Sequence, residues 1–266
     1  MQLDGRTALV TGGARGIGRE IVITLARQGA AVVAADILLK ELEDLSSFAR
    51  DRKLSVFCKP MDATSPEQWS HMARYIEGEF QKLDILVNNA GMMRSRPFFD
   101  TTLEDFQTTM RVNVESMFLG AKALVPLLTR AGQANPAGAS IINMCSVNGE
   151  IGGHWNVPYC ASKGAVRMFS KALAVDLAHA KTNIRVNSVL PGAIDTSMLE
   201  VGCQAYVDAG VLPDLKAVND RVKQVTPMGR VGKVDDVAGV VAFLASDAAK
   251  FMTGSDVTVD GGYSMV

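Results

Sequence analysis

The stretch Thr7–Gly18 constrains the fold more than any other part of this chain. A short apolar run, Thr7 to Thr11, ends in Gly12-Gly13-Ala14-Arg15-Gly16-Ile17-Gly18, after which Ile17, Ile21, Leu25 and Ala26 recur at helical spacing. That is a strand, a glycine turn and a helix. Gly12 and Gly13 permit the tight turn, Gly16 lets backbone amides approach a pyrophosphate, and Gly18 lets the helix pack closely on the strand. The helix N-terminus adds free amides and partial positive charge for phosphates. A glycine cluster alone is more often an ordinary turn. Its place between strand and helix makes Gly12, Arg15, Gly16, Ile17 and Gly18 candidate dinucleotide contacts.

The next strand, Ala31 to Ala35, ends at Asp36, close to the ~20-residue offset at which an acidic side chain accepts hydrogen bonds from an adenosine ribose. A carboxylate there repels a 2′-phosphate. Arg15 argues the other way, because a guanidinium in the glycine turn can hold that phosphate. Asp36 would touch the ribose hydroxyls directly, so NAD is expected over NADP. The alternation continues with a helix over 38–52, a strand over 54–61, a helix over 65–81 opened by Ser65-Pro66-Glu67, and the apolar run Ile85-Leu86-Val87 leading into Asn88-Asn89-Ala90-Gly91. Strands and helices alternating at this spacing predict a doubly wound α/β fold of the Rossmann type, its parallel sheet covered by helices on both faces. Ligand contacts then gather at the strands' carboxyl ends, where Gly12, Asp36, Asp62 and Asn89 lie.

Length and composition narrow the partners. A chain of 266 residues with 48% hydrophobic residues supplies the core of one large domain. A formal charge of −1 with scattered Lys and Arg leaves no footprint for nucleic acid or an anionic membrane, so a small-molecule substrate is expected. The first residues lack a basic region followed by an apolar core, and no apolar run approaches the ~20 residues of a spanning helix, which reads as a cytoplasmic protein. Cys58, Cys145, Cys160 and Cys203 have neither metal-ligand nor disulfide-framework spacing. Reduced thiols and no metal site are expected.

Tyr159 and Lys163, four apart, share one face of a helix. An ammonium beside a phenol favours the phenolate and draws its pKa down from ~10 toward the working range of a general base. Ser146, at an apolar-to-loop break, offers a hydroxyl to a substrate oxygen. Tyr-x-x-x-Lys by itself is usually a solvated surface pair; the rest of the chain raises its standing.

The chain resembles a short-chain dehydrogenase/reductase over nearly its whole length. The match comprises Thr11 to Gly18, Asp62, Asn88 to Gly91, Asn113, Ser146, Tyr159, Lys163 and Pro191-Gly192, in the family's order. The resemblance implies a seven-stranded parallel sheet and hydride transfer between a nicotinamide and a carbon bearing oxygen. It implies that Asp62, with Ala63 beside it, meets the adenine, that the Asn89, Ala90 and Gly91 backbone follows the adenosine, and that Asn88 steadies the central strands. Pro191, Gly192, Ile194 and Thr196 would meet the nicotinamide, the last through its hydroxyl. Tyr159 would be the acid/base, Lys163 would lower its pKa and bind the nicotinamide ribose, and Ser146 would polarise the substrate oxygen. Asn113, in a helix expected over 103–129, would hold a water linking Lys163 to solvent. The alternative for such an amide is a buried side chain tied to backbone. Two greasy helices, over 103–129 and 157–178, would pair across a two-fold axis in a homo-oligomer, a tetramer.

From Ser197 to about Arg230 the strand–helix rhythm lapses. An insertion of this kind is usually functional and reads as a substrate lid, an amphipathic surface hairpin being the alternative. Met93, Arg94, Arg96, Asn148, His154, Trp155, Met198 and Leu199 flank the expected site. Mostly apolar, they suit a secondary alcohol or ketone on a cyclic or hydrophobic skeleton, such as a steroid, terpenoid or cyclic alkanol. Arg94 and Arg96 are alternatively anion contacts, and His154 a rim residue. The expected activity is an NAD-dependent alcohol dehydrogenase or ketoreductase. A 3-oxoacyl-carrier-protein reductase using NADPH and a non-catalytic NAD-sensing regulator are the rivals.

Overall fold

The computed structural model describes residues 2–265. Strands β1 (Thr7–Thr11), β2 (Ala31–Asp36), β3 (Val56–Pro60), β4 (Ile85–Asn88), β5 (Ala139–Met144), β6 (Ile184–Pro191) and β7 (Asp256–Val259) form one sheet in the order β3-β2-β1-β4-β5-β6-β7. All neighbours pair in parallel. The helices are α1 (Gly16–Arg27), α2 (Leu39–Asp51), α3 (Pro66–Phe80), α4 (Leu103–Met110), α5 (Ser116–Ala134), α6 (Val157–His179), α7 (Ser197–Asp208), α8 (Leu215–Val225) and α9 (Val234–Ala245).

Strands β1, β4, β5 and β6 are buried at every position, so their side chains alternate between two cores rather than between core and water. Ala8 and Val10 of β1 join Ile21 and Leu25 of α1, Leu45 of α2 and Val241 of α9. Leu9 points the other way, to Trp69 and Ile76 of α3, Leu124 and Leu128 of α5, and Leu177 of α6. This is the expected doubly wound α/β architecture. Helix α3 starts as read: the Ser65 hydroxyl accepts from the Gln68 amide, and Pro66 stands in the first turn.

The single helix expected over 103–129 is corrected. It is interrupted by a π turn, Arg111–Glu115, and runs on to Ala134. The expectation that no segment reaches membrane-spanning length is corrected by the same helix, whose 32 residues from Leu103 to Ala134 reach that mark by length and composition. Leu124, Leu127 and Leu128 on it are packed into the core beside the sheet. The segment 197–230 consists of α7 and α8, which pack on each other, with their connections. Its ends are clamped together: Ile194 and Gly232 form a parallel bridge, with Asp195 N donating to Gly232 O at 2.8 Å and Gly232 N to Ala193 O at 2.9 Å.

Candidate active site

From β1 the chain steps outward to β2 and β3, then returns to the other side of β1 for β4 to β7. The carboxyl ends of β1 and β4 therefore flank a crevice, and the chemistry-bearing residues gather there. Gly12 leaves β1 at φ +62°, and a Cβ on it would lie 2.9 Å from Ala90 Cα. A Cβ on Gly18 would overlap the Gly12 carbonyl oxygen, so α1 can approach the turn only as glycine. Asn89 fixes this turn from the neighbouring strand, its Nδ2 donating to Thr11 O at 3.0 Å and Gly12 O at 2.9 Å. The Thr11 hydroxyl accepts from the Asn89 and Ala90 amides at 3.1 Å each. Thr11 as a hub escaped the sequence reading; its signal was a polar side chain at the end of a buried apolar strand.

Asp36 is 8% exposed, and both carboxylate oxygens are engaged, Oδ2 by the Ala14 amide at 3.0 Å and Oδ1 by the Leu38 amide at 3.2 Å. It lines a cavity of about 270 Å³ together with Gly12, Arg15, Asp62, Ala63 and Ala90. Arg15 is exposed, and Ile37 beside Asp36 brings no counter-charge. Asp62 turns one oxygen onto the Thr64 amide and hydroxyl at 2.8 Å. A second cavity of about 500 Å³ holds Ser146, Tyr159 and Lys163 in its wall, with Pro191, Gly192 and Ile194 from the loop after β6. The two cavities share Ile17, Asn89, Gly91, Thr196 and Met198. A glycine cradle at a helix N-terminus, a carboxylate placed for a ribose, and a second chamber beyond fit a nicotinamide dinucleotide.

Ser146 follows β5, and α6 presents Tyr159 and Lys163 on one face, as their spacing requires. Tyr159 is 8% exposed and Lys163 4%. The Ser146 hydroxyl accepts from Asn148 N at 3.2 Å and hydrogen-bonds the Tyr159 phenol. Lys163 Nζ donates to Met144 O at 2.8 Å and lies 5.6 Å from the centre of the Tyr159 ring. The expected depression of the Tyr159 pKa by Lys163 is corrected for the free protein. Burial pushes the phenol up to about 12, the Ser146 hydrogen bond opposing it, and burial pushes Lys163 down to about 8. Removal from water sets both shifts, disfavouring the phenolate and the ammonium alike, and the polar contact of the ammonium is with Met144 O.

Asn113 lies in the π turn, fully buried. Its Oδ1 accepts from Met92 N at 2.8 Å, and its Nδ2 donates to Met92 O at 2.9 Å and Ser162 Oγ at 3.0 Å; Ser162 in turn donates to Tyr159 O at 2.7 Å. The side chain is thus tied to backbone and to α6, the alternative weighed for it, and any water would have to share these groups. Asn88 behaves as expected, its Nδ2 bonding Asn143 Oδ1 across β4 and β5 at 2.8 Å. Thr196 hydroxyl accepts from Leu199 N at 3.3 Å as the cap of α7 and donates to Ile194 O at 3.2 Å.

Of the expected substrate contacts, Met93, Asn148, Met198 and Leu199 line the larger cavity. His154 and Trp155 are not in that lining; with Tyr206 they form a three-ring cluster at its rim, with centroids 4.8 Å apart for His154–Trp155, 4.9 Å for Trp155–Tyr206 and 5.8 Å for His154–Tyr206. Arg94 and Arg96 are likewise turned away, their guanidinium groups bonded to the Asp105 carboxylate at 2.9 and 3.1 Å. That carboxylate also caps α4 through Thr102, and the two contacts hold its pKa at about 2. Cavity residues beyond the sequence reading include Tyr206, Val218, Arg221, Val222 and Tyr263.

A family model described as enoyl-(acyl carrier protein) reductase matches residues 12–264. The chain is 37% identical over 267 residues to a cyclopentanol dehydrogenase of Comamonas testosteroni, covering 99% of this chain and 98% of that one. It is 35% identical to an NADP-dependent (R)-specific alcohol dehydrogenase of Lentilactobacillus kefiri, over 99% of this chain and 98% of that one. The solved structure of a gluconate 5-dehydrogenase from Burkholderia cenocepacia, in complex with NADP and tartrate, superposes with a TM-score of 0.86 at 34% identity, covering 100% of this chain and 97% of that one. With the fold, the glycine turn and the serine–tyrosine–lysine set in agreement, the chain belongs to the short-chain dehydrogenase/reductase family of oxidoreductases.

Proposed function

We propose that this protein interconverts secondary alcohols and ketones carried on cyclic or otherwise hydrophobic skeletons, with NAD(H) as cofactor. The observation that carries the reading is the convergence of Ser146, Tyr159 and Lys163 on a largely apolar chamber that shares walls with the groove containing Asp36. When bound, the nicotinamide supplies or accepts the hydride. The residues do the rest. Ser146 holds the substrate oxygen, Tyr159 takes the hydroxyl proton at its phenol oxygen during oxidation and returns it during reduction, and the Lys163 ammonium stabilises the phenolate. Asn113 holds Met92 and, through Ser162, the Tyr159 backbone, so the amide positions the helix turn that carries the base. Helices α7 and α8 act as the lid that excludes water.

NAD is favoured because Asp36 confronts the ribose with a carboxylate and Ile37 offers no cation to a 2′-phosphate, although Arg15 is in reach of the groove and the Lentilactobacillus relative is NADP-dependent. An NADPH-dependent 3-oxoacyl-carrier-protein reductase is the second reading, favoured by a relative of that description from Thermotoga maritima, 34% identical over 98% of this chain and 99% of that one. The exposed apolar residues Phe118 on α5 and Met168 and Val175 on α6 support a further part of the proposal, a cytoplasmic homotetramer paired through these helices.

The test is steady-state oxidation of cyclopentanol and larger cyclic alcohols with NAD and NADP, on the wild type and Tyr159→Phe. Turnover with NAD at a kcat/KM well above that with NADP, and a loss of kcat of about 10²–10⁴-fold in Tyr159→Phe with NADH affinity kept, is expected. Turnover in the variant near the wild-type rate refutes the assignment of the base.

A further inference from the structure

Among the described residues, only two charged side chains line the larger cavity, and both are cations: Lys163 in the catalytic wall and Arg221 on α8. No Asp or Glu is among the described residues that line it. Arg221 stands on a face of α8 that otherwise consists of Val218, Val222 and Val225, at the i, i+3, i+4 and i+7 spacing of a stripe turned toward the chamber. The acid nearest in sequence, Asp220, is on the outer face, where it pairs with Lys216 at 2.8 Å and Lys223 at 3.5 Å. Among the described residues Arg221 makes no ion pair. The other arginines near the site, Arg94 and Arg96, are both committed to Asp105.

We infer that the substrate is an acid: an apolar skeleton bearing the secondary alcohol or ketone at one end and a carboxylate, held by Arg221, at the other. This rests on the oxidoreductase reading above and specifies its substrate class. Arg221 is an exposed side chain beside an otherwise apolar wall, so its guanidinium keeps its water until an anion meets it. A carboxylate replaces that water with a charge-assisted, two-pronged contact while the valines take the ring or chain. Because α8 also closes over the chamber, the same contact draws the lid onto a substrate whose carbinol lies against Ser146 and Tyr159. The reaction is otherwise unchanged: hydride leaves the carbinol carbon for the nicotinamide, and the hydroxyl proton goes to Tyr159.

The experiment compares 4-oxocyclohexanecarboxylate with neutral 4-methylcyclohexanone, at saturating NADH, in the wild type, Arg221→Met and Arg221→Lys. The expected result is a wild-type preference for the acid of about 10–100-fold in kcat/KM, carried by KM and weakened by added salt. Arg221→Met brings that ratio close to one, and Arg221→Lys restores part of it. A wild-type ratio near one, or a ratio unchanged by Arg221→Met, overturns the inference. Calorimetric titration of cyclohexanecarboxylate into the NADH complex separates it from the reaction itself. Binding that is lost in folded Arg221→Met upholds the anion site even if neither ketone turns over, in which case the oxidoreductase reading is what fails. No binding to the wild type overturns the anion site whatever the turnover.

Discussion

Lys163 is buried, turned onto the Met144 carbonyl, and holds its proton only to about pH 8 where 10.5 is ordinary. Below pH 8 it is charged in both folded and unfolded chains, and the whole cost of burying it is felt. Between 8 and 10.5 the unfolded chain keeps a proton that the folded one releases, so folded stability rises with pH across that window. The fall corresponds to about 3 kcal/mol, from which the lost hydrogen bond to Met144 takes about 1. Lys163→Met is therefore expected to stabilise the cofactor-free protein by about 2 kcal/mol at pH 7 and, once the burial cost is gone above pH 10.5, to destabilise it by about 1 kcal/mol, as urea denaturation at several pH values would reveal. A pH-independent difference would mean the ammonium is not desolvated. Asp36→Ala should bring the NAD/NADP ratio of kcat/KM down by about tenfold or more. It should also raise KM for both cofactors, because the amides of Ala14 and Leu38 lose their shared acceptor. An unchanged ratio would remove Asp36 from the ribose site. Tyr159, Lys163 and Asp36 were legible in the sequence, since spacing on a helix and the end of a strand place them. The direction of the Tyr159 shift was not, because it depends on how deeply the finished fold buries the phenol.

Helix α4 begins with a reciprocal cap in which Thr102 Oγ1 accepts from Asp105 N at 3.1 Å and Asp105 accepts from Thr102 N at 3.1 Å. Thr102→Ala should cost about 1 kcal/mol, lowering Tm by about 2–4 °C in a thermal melt. No change would show that the Arg94 and Arg96 contacts hold the helix start by themselves. Strand and helix order from β1 to β6 was readable because each element carries its own period and punctuation. The π turn was not, since nothing in Arg111-Val112-Asn113-Val114-Glu115 departs from an ordinary helical pattern. The backbone of Met92, over twenty residues away in sequence, engages the Asn113 amide at that turn. The same holds for His154 and Trp155, whose place at the rim is set by Tyr206 on α7.

The sheet carries the cofactor groove in its first half and the reacting side chains in its second, and the two meet only along the β1–β4 crevice. If the outer faces of α5 and α6 pair with another copy, Phe118→Glu combined with Met168→Glu should convert a tetramer into smaller species in sedimentation velocity. A wild type that sediments as a monomer, or a charged variant that stays tetrameric, would refute that pairing. The stretch carrying α7 and α8 leaves and rejoins the fold at the Ile194–Gly232 bridge, so its two ends stand side by side whatever lies between them. A closed excursion of this kind behaves as a cassette. Divergence within it, or its exchange for the equivalent stretch of a relative, can rewrite what the enzyme accepts while the nucleotide groove and the proton chemistry are inherited intact.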